Sequence, residues 1–182
     1  AAARLDLPTI FLSAGAMTPY IDDGNVYVTC DLKEAIGKIN SGKIDIETFT
    51  RWEEKICFSS GTCSMMGTAN TMATFLEAVG IAPYGNATML ACDANKQRQA
   101  RTVGERIVTL VNEKRRFSDF LNLDSLINGV KYVSAIGGST NAILHILALA
   151  KALSIDFDIN DLMKRRNPLQ MCVSLSHQAH LT

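Results

Sequence analysis

Residues 57–72, CFSSGTCSMMGTANTM, place Cys63 between a Ser/Gly loop and a run of small and sulfur-containing residues. The pattern predicts a helix over about residues 64–79 that ends before Gly80. A cysteine at a helix N-terminus meets free N–H groups and the positive end of the helix dipole, which favour its thiolate. Three roles for Cys63 therefore stay open: an iron or zinc ligand, a nucleophile with His145 as base, and a buried packing cysteine.

The chain before this loop predicts strands. The apolar run at residues 7–12 is typical of a buried strand of a parallel sheet, and it ends in the loop at residues 13–17, SAGAM. Ligands of α/β proteins tend to lie beyond the carboxyl ends of such strands, which makes Ser13 and Gly15 weak candidates for lining a site. Residues 25–29, NVYVT, alternate like a second strand.

The remaining pattern is mainly helical. Helices are predicted at residues 31–40, 46–56, 93–116, 123–135, 142–153 and 158–166, with Asp45 and Asp93 as N-caps. In the helix at 93–116 we expect the Arg and Lys residues on a solvated face and four apolar residues inward: Val103, Ile107, Leu110 and Val111. The helix at 142–153 is apolar almost all round, which is typical of a buried helix. The fold class indicated is α/β.

Residues 135–150, AIGGSTNAILHILALA, contain a second helix start of chemical interest. Two glycines followed by Ser139 and Thr140 can present free N–H groups to an anion. Ordinary capping of the helix by Ser139 explains the pattern equally well. The stretch lacks the spacing and the lysine of a Walker loop, and no G-x-G-x-x-G is present.

Composition excludes some function classes. Lys and Arg together number 18 and equal Asp and Glu, so we expect no nucleic-acid partner. No apolar run approaches the roughly 20 residues that cross a bilayer, and no leader is seen, so neither membrane insertion nor secretion is expected. The 5 scattered cysteines do not form a disulfide pattern and include no CxxC pair, which favours a reducing compartment.

Three segments together resemble the dihydroxy-acid dehydratase and 6-phosphogluconate dehydratase family, which includes sugar-acid dehydratases. They are LDLPTIFLSAGAM (5–17), GTCSMMGTANTM (61–72) with FLEAVGIAPYG (75–85), and AIGGSTNAILHILALA (135–150). Their order and separation fit the family over about residues 1–168. The resemblance implies a helix-rich fragment of a parallel-sheet N-terminal domain of an iron–sulfur dehydratase, with residues 169–182 as a divergent or disordered tail.

The resemblance also implies a chemistry. Such enzymes remove water from a 2,3-dihydroxy acid, either a branched-chain precursor in amino-acid biosynthesis or a sugar acid, and give a 2-keto-3-deoxy acid. They use an iron–sulfur cluster, [2Fe–2S] or [4Fe–4S], as a Lewis acid together with Mg²⁺. Cys63 matches an iron ligand. The implied substrate-binding residues are Gly138, Ser139, Thr140, Ser13 and Gly15.

The parent enzyme is expected to be a homodimer in the cytoplasm or an organelle matrix, with a small-molecule substrate. The family's Cys-Asp-Lys segment, which supplies a second cluster cysteine and magnesium ligands, has no counterpart in this chain. We therefore expect the isolated chain to be inactive. The alternative from another class is a noncatalytic remnant that binds a partner or a small anion at the GGSTN turn.

Overall fold

The computed structural model describes residues 1–164, which are mostly helical. Its β structure is one antiparallel pair, β1 (Tyr20–Asp22) and β2 (Asn25–Tyr27), and a 3₁₀ helix spans Phe117–Asp119. The α-helices are α1 (Ala2–Leu5), α2 (Thr29–Asn40), α3 (Ile46–Lys55), α4 (Thr68–Ala78), α5 (Ala94–Asn112), α6 (Leu123–Ala135), α7 (Asn141–Ala152) and α8 (Ile159–Lys164). No helix within residues 1–164 is long and apolar enough to cross a membrane.

The predicted strand at residues 7–12 is wrong. These residues form no strand and are exposed or half-buried, and the Phe11 N–H donates to the Ile81 carbonyl at 2.8 Å. Parallel pairing within residues 1–164 is limited to isolated bridges from Ala16 to Thr62 and to Leu90. An apolar run of this length becomes a sheet strand only where a neighbouring strand pairs with it, and here the Phe11 ring packs against Phe117 of the 3₁₀ helix at a centroid distance of 6.3 Å.

The strand predicted at residues 25–29 is confirmed for Asn25–Tyr27, but it belongs to a hairpin with β1. Asp23 and Gly24 turn the chain at φ 46° and 77°, the left-handed pair that a tight hairpin turn requires. The hairpin covers a small core of α2 and α3, where the Tyr27 and Trp52 ring centroids are 4.5 Å apart. Asp45 caps α3, as predicted, and accepts a hydrogen bond from the Thr48 N–H at 2.7 Å.

The main core lies between α4, α6 and α7. Phe75 of α4 is fully buried and lies against Gly129 of α6, where an added Cβ would stand 2.4 Å from Phe75 Cε2. Because glycine has no side chain, the two helix backbones approach more closely than any other residue would allow. This crossing brings the C-terminal end of α6 towards α4. It thereby positions the turn at residues 137–141.

Two expectations about helix burial are wrong. α7 buries one face through Ala142, Ile146 and Ala150, but Leu144 on the opposite face is 70% exposed. In α5, which Asp93 caps as predicted, Leu110 is buried whereas Val111 is 55% exposed. The apolar residues of a helix show which face can pack, but that face is buried only where another element packs against it. The helix predicted at 158–166 extends beyond the described residues.

Candidate functional site

Cys63 lies on an exposed loop and not at a helix N-terminus, which corrects the sequence prediction. α4 begins at Thr68, and Gly67 is its N-cap in an extended conformation at φ −85° and ψ −168°. The residues between Cys63 and Gly67 fold back onto the helix instead of continuing it. The dipole argument for the Cys63 thiolate therefore does not apply. Its exposure leaves the thiol open to a metal or an electrophile.

Asn70 holds the Cys63 loop, a role that the sequence reasoning missed. Its Nδ2 donates to the Cys63 carbonyl and to the Met65 carbonyl, both at 2.7 Å. Its Oδ1 accepts from the Thr62 hydroxyl at 2.9 Å. An asparagine in the first turn of a helix, directly after a glycine-rich loop, was the signal available in the sequence, because such side chains bond to nearby backbone groups.

Three chain segments meet beneath this loop. Ala16 lies between Thr62 and Leu90, and the Met17 N–H donates to the Thr62 carbonyl at 2.8 Å. Gly15 has a φ of +89°, and a Cβ there would stand 2.5 Å from the Met89 carbonyl oxygen. Gly61, at φ +132°, has the same role on the opposite side, with Met17 N at 2.5 Å. Both glycines permit close backbone contact, which accounts for Gly15. Its substrate-binding role stays a prediction.

Ser13 belongs to a buried polar network. The Asn86 side chain donates to Ser13 Oγ at 2.8 Å, and Lys96 Nζ donates to the Asn86 carbonyl at 2.6 Å and to Asn86 Oδ1 at 3.0 Å. Lys96 is 8% exposed, which corrects the expectation that the basic residues of α5 are all solvated. Burial lowers the pKa of Lys96, and the nearby carboxylates of Asp93 and Glu77 oppose that shift. A role for Ser13 in substrate binding stays a prediction.

The turn at residues 137–141 meets the first turn of α4. The Ser139 N–H donates to Thr71 Oγ1 at 2.9 Å, and Asn141 Nδ2 donates to Thr68 Oγ1 at 2.9 Å. Gly138 permits this contact, because a Cβ there would stand 2.7 Å from Thr71 Cγ2. Thr140, not Ser139, is the N-cap of α7, although Ser139 Oγ accepts from the Asn141 N–H at 3.3 Å. The two helix starts selected from the sequence are therefore neighbours.

Other sulfur and imidazole groups lie elsewhere. Cys30 donates to the Met65 sulfur at 3.1 Å, and Cys92 Sγ lies 3.3 Å from Thr18 Oγ1. His145 lines a groove with α1 and Leu149, and the structure records no hydrogen bond from it to Cys63 in the part of the chain that is described. No group of three or more His, Cys, Asp or Glu residues within residues 1–164 could hold a metal ion. Cys172, His177 and His180 lie outside the described residues.

Comparison with known proteins identifies the family. Residues 1–180 match the family model described as dihydroxy-acid/6-phosphogluconate dehydratase N-terminal. A dihydroxy-acid dehydratase of Haloarcula marismortui is 41% identical over 159 residues, 87% of this chain and 28% of that protein. The dihydroxy-acid dehydratase of Natronomonas pharaonis is 39% identical over 170 residues, which cover 92% of this chain and 29% of its relative.

A third dihydroxy-acid dehydratase, from Caldanaerobacter subterraneus subsp. tengcongensis, is 40% identical over 171 residues, 91% of this chain and 30% of that protein. The chain thus spans less than a third of the length of these relatives. The motifs at Cys63 and at the GGSTN turn lie within the matched residues. The chain therefore belongs to the dihydroxy-acid/6-phosphogluconate dehydratase family and corresponds to part of its N-terminal region.

Proposed function

We propose that this chain supplies one iron ligand, Cys63, and part of the substrate pocket to a hydro-lyase that dehydrates a 2,3-dihydroxy acid to a 2-keto-3-deoxy acid. The observation that carries the proposal is the contact between α4 and the turn at residues 137–141. Ser139 N bonds to Thr71, and Asn141 bonds to Thr68. The helix that follows the Cys63 loop thus also holds the proposed substrate-binding turn.

The polar groups at this contact suit an acid substrate. Gly67 has no side chain to cap α4, and no hydrogen bond is recorded within residues 1–164 for the N–H groups of residues 68–70, so these groups are available to an anion. At the start of α7 the N–H groups of residues 141–143 already bond to Ser139 and Thr140. The hydroxyls of Thr68 and Ser139 lie 3.5 Å apart and can each bond to a substrate oxygen. We assign Gly138, Ser139 and Thr140 to substrate binding, with Ser13 and Gly15 as weaker candidates for the same role.

The cluster needs more than this chain. Cys63 offers one exposed thiol, and thiolates are the ligands that iron–sulfur clusters prefer. Within residues 1–164, no group of three or more His, Cys, Asp or Glu residues could hold a metal ion. The remaining ligands for the cluster and for Mg²⁺ would come from other parts of a longer polypeptide. When bound, the cluster would supply a Lewis acid for the departing hydroxyl, and Mg²⁺ would offset the negative charge of the adjacent carboxylate.

A cysteine comparison tests the iron ligand. In a longer dehydratase polypeptide that carries this segment, Cys63→Ser is compared with Cys57→Ser, because Cys57 is exposed like Cys63 and lies on the same loop. After anaerobic reconstitution with iron and sulfide, Cys63→Ser should lose the visible cluster absorption and the formation of 2-keto acid. Cys57→Ser should retain both. Retention of the cluster by Cys63→Ser would contradict the assignment.

The substrate pocket has a separate test. Ser139→Ala removes one hydroxyl donor to a charged substrate, an interaction of about 1.5–3 kcal/mol, so kcat/KM should fall by roughly tenfold or more. Branched-chain and sugar-derived 2,3-dihydroxy acids are both assayed, which also identifies the substrate class. An unchanged kcat/KM for every accepted substrate would remove Ser139 from the pocket. The cluster absorption serves as the control for intact folding.

The 182-residue chain by itself should form no stable cluster and turn over no substrate, because it offers one thiol with the predicted ligand role. Reconstitution of the purified chain followed by absorption spectroscopy and a keto-acid assay measures this directly. A stable cluster with turnover would show that the chain is sufficient and that our ligand assignment is incomplete.

A further inference from the structure

We propose that Asn70 is a positioning residue for Cys63: its side-chain amide fixes the backbone around Cys63 and thereby the direction of the thiol. The positioning itself is a property of this chain. Its consequence for iron binding rests on the function proposed above, which assigns Cys63 as a ligand.

Both N–H donors and the oxygen of the Asn70 side-chain amide form hydrogen bonds. An asparagine side chain carries two N–H donors and one carbonyl acceptor. The two donor bonds go to the Cys63 and Met65 carbonyls, at 2.7 Å each, and Oδ1 accepts from Thr62 at 2.9 Å. All of these partners lie in the loop that carries the thiol, one just before Cys63 and the others at and after it.

Few other polar contacts hold the loop, among them the bond from the Cys30 thiol to the Met65 sulfur at 3.1 Å. Within residues 1–164, the one backbone–backbone hydrogen bond recorded for residues 63–66 joins the Gly67 N–H to the Met65 carbonyl at 2.8 Å. The Ser64 hydroxyl is buried without a partner in the described part of the chain, so it does not tie the loop down. Asn70 therefore supplies two of the three hydrogen bonds that are recorded within residues 1–164 to backbone atoms of residues 63–65.

Asn70 also connects the loop to the proposed substrate turn. It lies in the first turn of α4, between Thr68 and Thr71, the residues that contact Asn141 and Ser139. The Thr74 hydroxyl donates to the Asn70 carbonyl at 3.1 Å, which ties the residue to the next turn of the helix. The thiol and the turn are therefore positioned from the same rigid helix end, a requirement for groups that act on one substrate.

Helix stability does not account for Asn70. Asparagine is a poorer helix former than alanine, and here the cap position belongs to Gly67. The side chain bonds to the preceding loop and not to the free N–H groups of its own helix. Its contacts favour a role in shaping the loop.

The test compares Asn70→Asp with Asn128→Asp in the 182-residue chain. The first change keeps the shape and the acceptor but replaces both donors by a carboxylate that faces two carbonyls. Asn128 lies on the exposed side of α6, and the structure records no side-chain hydrogen bond for it within residues 1–164. NMR measures {¹H}–¹⁵N heteronuclear NOE values of residues 63–66 and the hydrogen-exchange rate of the Gly67 amide.

In the unmodified chain, residues 63–66 should be as rigid as α4. Asn70→Asp should lower their NOE values and speed the exchange of Gly67 by about tenfold or more, whereas Asn128→Asp should leave both unchanged. Below the ordinary carboxyl pKa of about 4, the new side chain of the Asn70→Asp variant is protonated and regains one donor, so part of the rigidity should return. A purely structural loss of packing would show no such recovery with pH.

Mobile residues 63–66 in the unmodified chain, or equal behaviour of the two variants, would overturn the proposal. The cluster experiment with Cys63→Ser fails or succeeds separately. If the loop loosens as expected but Cys63→Ser keeps its cluster, the positioning holds and the iron assignment fails. If Cys63→Ser loses its cluster but Asn70→Asp leaves the loop rigid, the positioning role fails and the iron assignment stands.

Discussion

Substitution of Gly129 by alanine tests the helix crossing on which the site depends. Gly129 lies in α6 where that helix crosses α4, and an added Cβ would stand 2.4 Å from Phe75 Cε2 and 2.7 Å from Val79 Cγ1. Phe75 is fully buried and cannot move into solvent to make room. The new methyl group must therefore push the helices apart or displace the ring from its rotamer.

The magnitude follows from two opposing contributions. Alanine is about 1 kcal/mol better than glycine in a helix interior, which favours the variant. Overpacking of a filled core costs typically about 1–3 kcal/mol, and these contacts are well below ordinary van der Waals distance. We expect Gly129→Ala to lower the free energy of unfolding by up to about 2 kcal/mol. Because α6 leads into the turn at residues 137–141, the contact between Ser139 and Thr71 should loosen as well.

The chain offers a matched control. Gly104 lies inside α5, and an added Cβ there would meet nothing within 4 Å. Gly104→Ala should therefore raise the free energy of unfolding by up to about 1 kcal/mol. Urea unfolding followed by circular dichroism at 222 nm measures both variants. If Gly129→Ala is as stable as Gly104→Ala, the close crossing of α4 and α6 is not a real constraint and the reasoning is refuted.

Three further predictions use groups whose contacts are defined. Burial lowers the pKa of Lys96, so between that lowered pKa and the ordinary 10.5 the unfolded chain holds more protons than the folded chain. The stability of the unmodified chain relative to Lys96→Met should therefore rise with pH in that window. Urea unfolding midpoints at several pH values measure the difference, and a difference that does not change with pH would argue against the burial of Lys96. The hydrogen bond from the Thr48 N–H lowers the pKa of Asp45, so the stabilising effect of the Asp45 carboxylate is complete above pH 3.8 and is lost as the pH falls through the lowered pKa. The unmodified chain should therefore lose stability relative to Asp45→Asn in that pH range. Melting temperatures measured at several acidic pH values test this, and an equal fall with pH for both proteins would contradict it. Thr71→Val keeps the shape of a fully buried side chain but leaves the Ser139 N–H without its acceptor, which should cost about 1–3 kcal/mol; an unchanged unfolding free energy would show that this hydrogen bond does not join the turn to α4.

The sequence predicted which helices and motif residues are present, but it did not predict where Cys63 lies relative to α4. The helices at residues 123–135 and after Asp45 and Asp93 were predicted from caps and spacing, and the structure confirms them. Cys63 was placed at a helix N-terminus, but the side chain of Asn70 folds the intervening residues into a loop. Competition between a side chain and the backbone for the same carbonyl groups is not visible in apolar periodicity.

Contacts between distant residues account for the remaining differences. Lys96 is buried because Asn86, in a turn before α5, offers two oxygens to its ammonium group. Residues 7–12 form no strand because no neighbouring strand pairs with them in the described part of the chain, although their composition is that of a strand. In each case the outcome depends on a partner that lies far away in the chain or on another element.

The amino-acid sequence by itself determined the helix caps, most of the helices, the family and the two motifs at Cys63 and Ser139, because these are matters of local hydrogen bonding and of residue identity. Only the tertiary structure decided that the two motifs are neighbours, that Asn70 shapes the thiol-bearing loop and that Gly129 and Gly138 permit the approach. The physical reason is that close packing and polar pairing between α4 and α6–α7 join residues that are far apart in sequence, and no local pattern specifies such contacts.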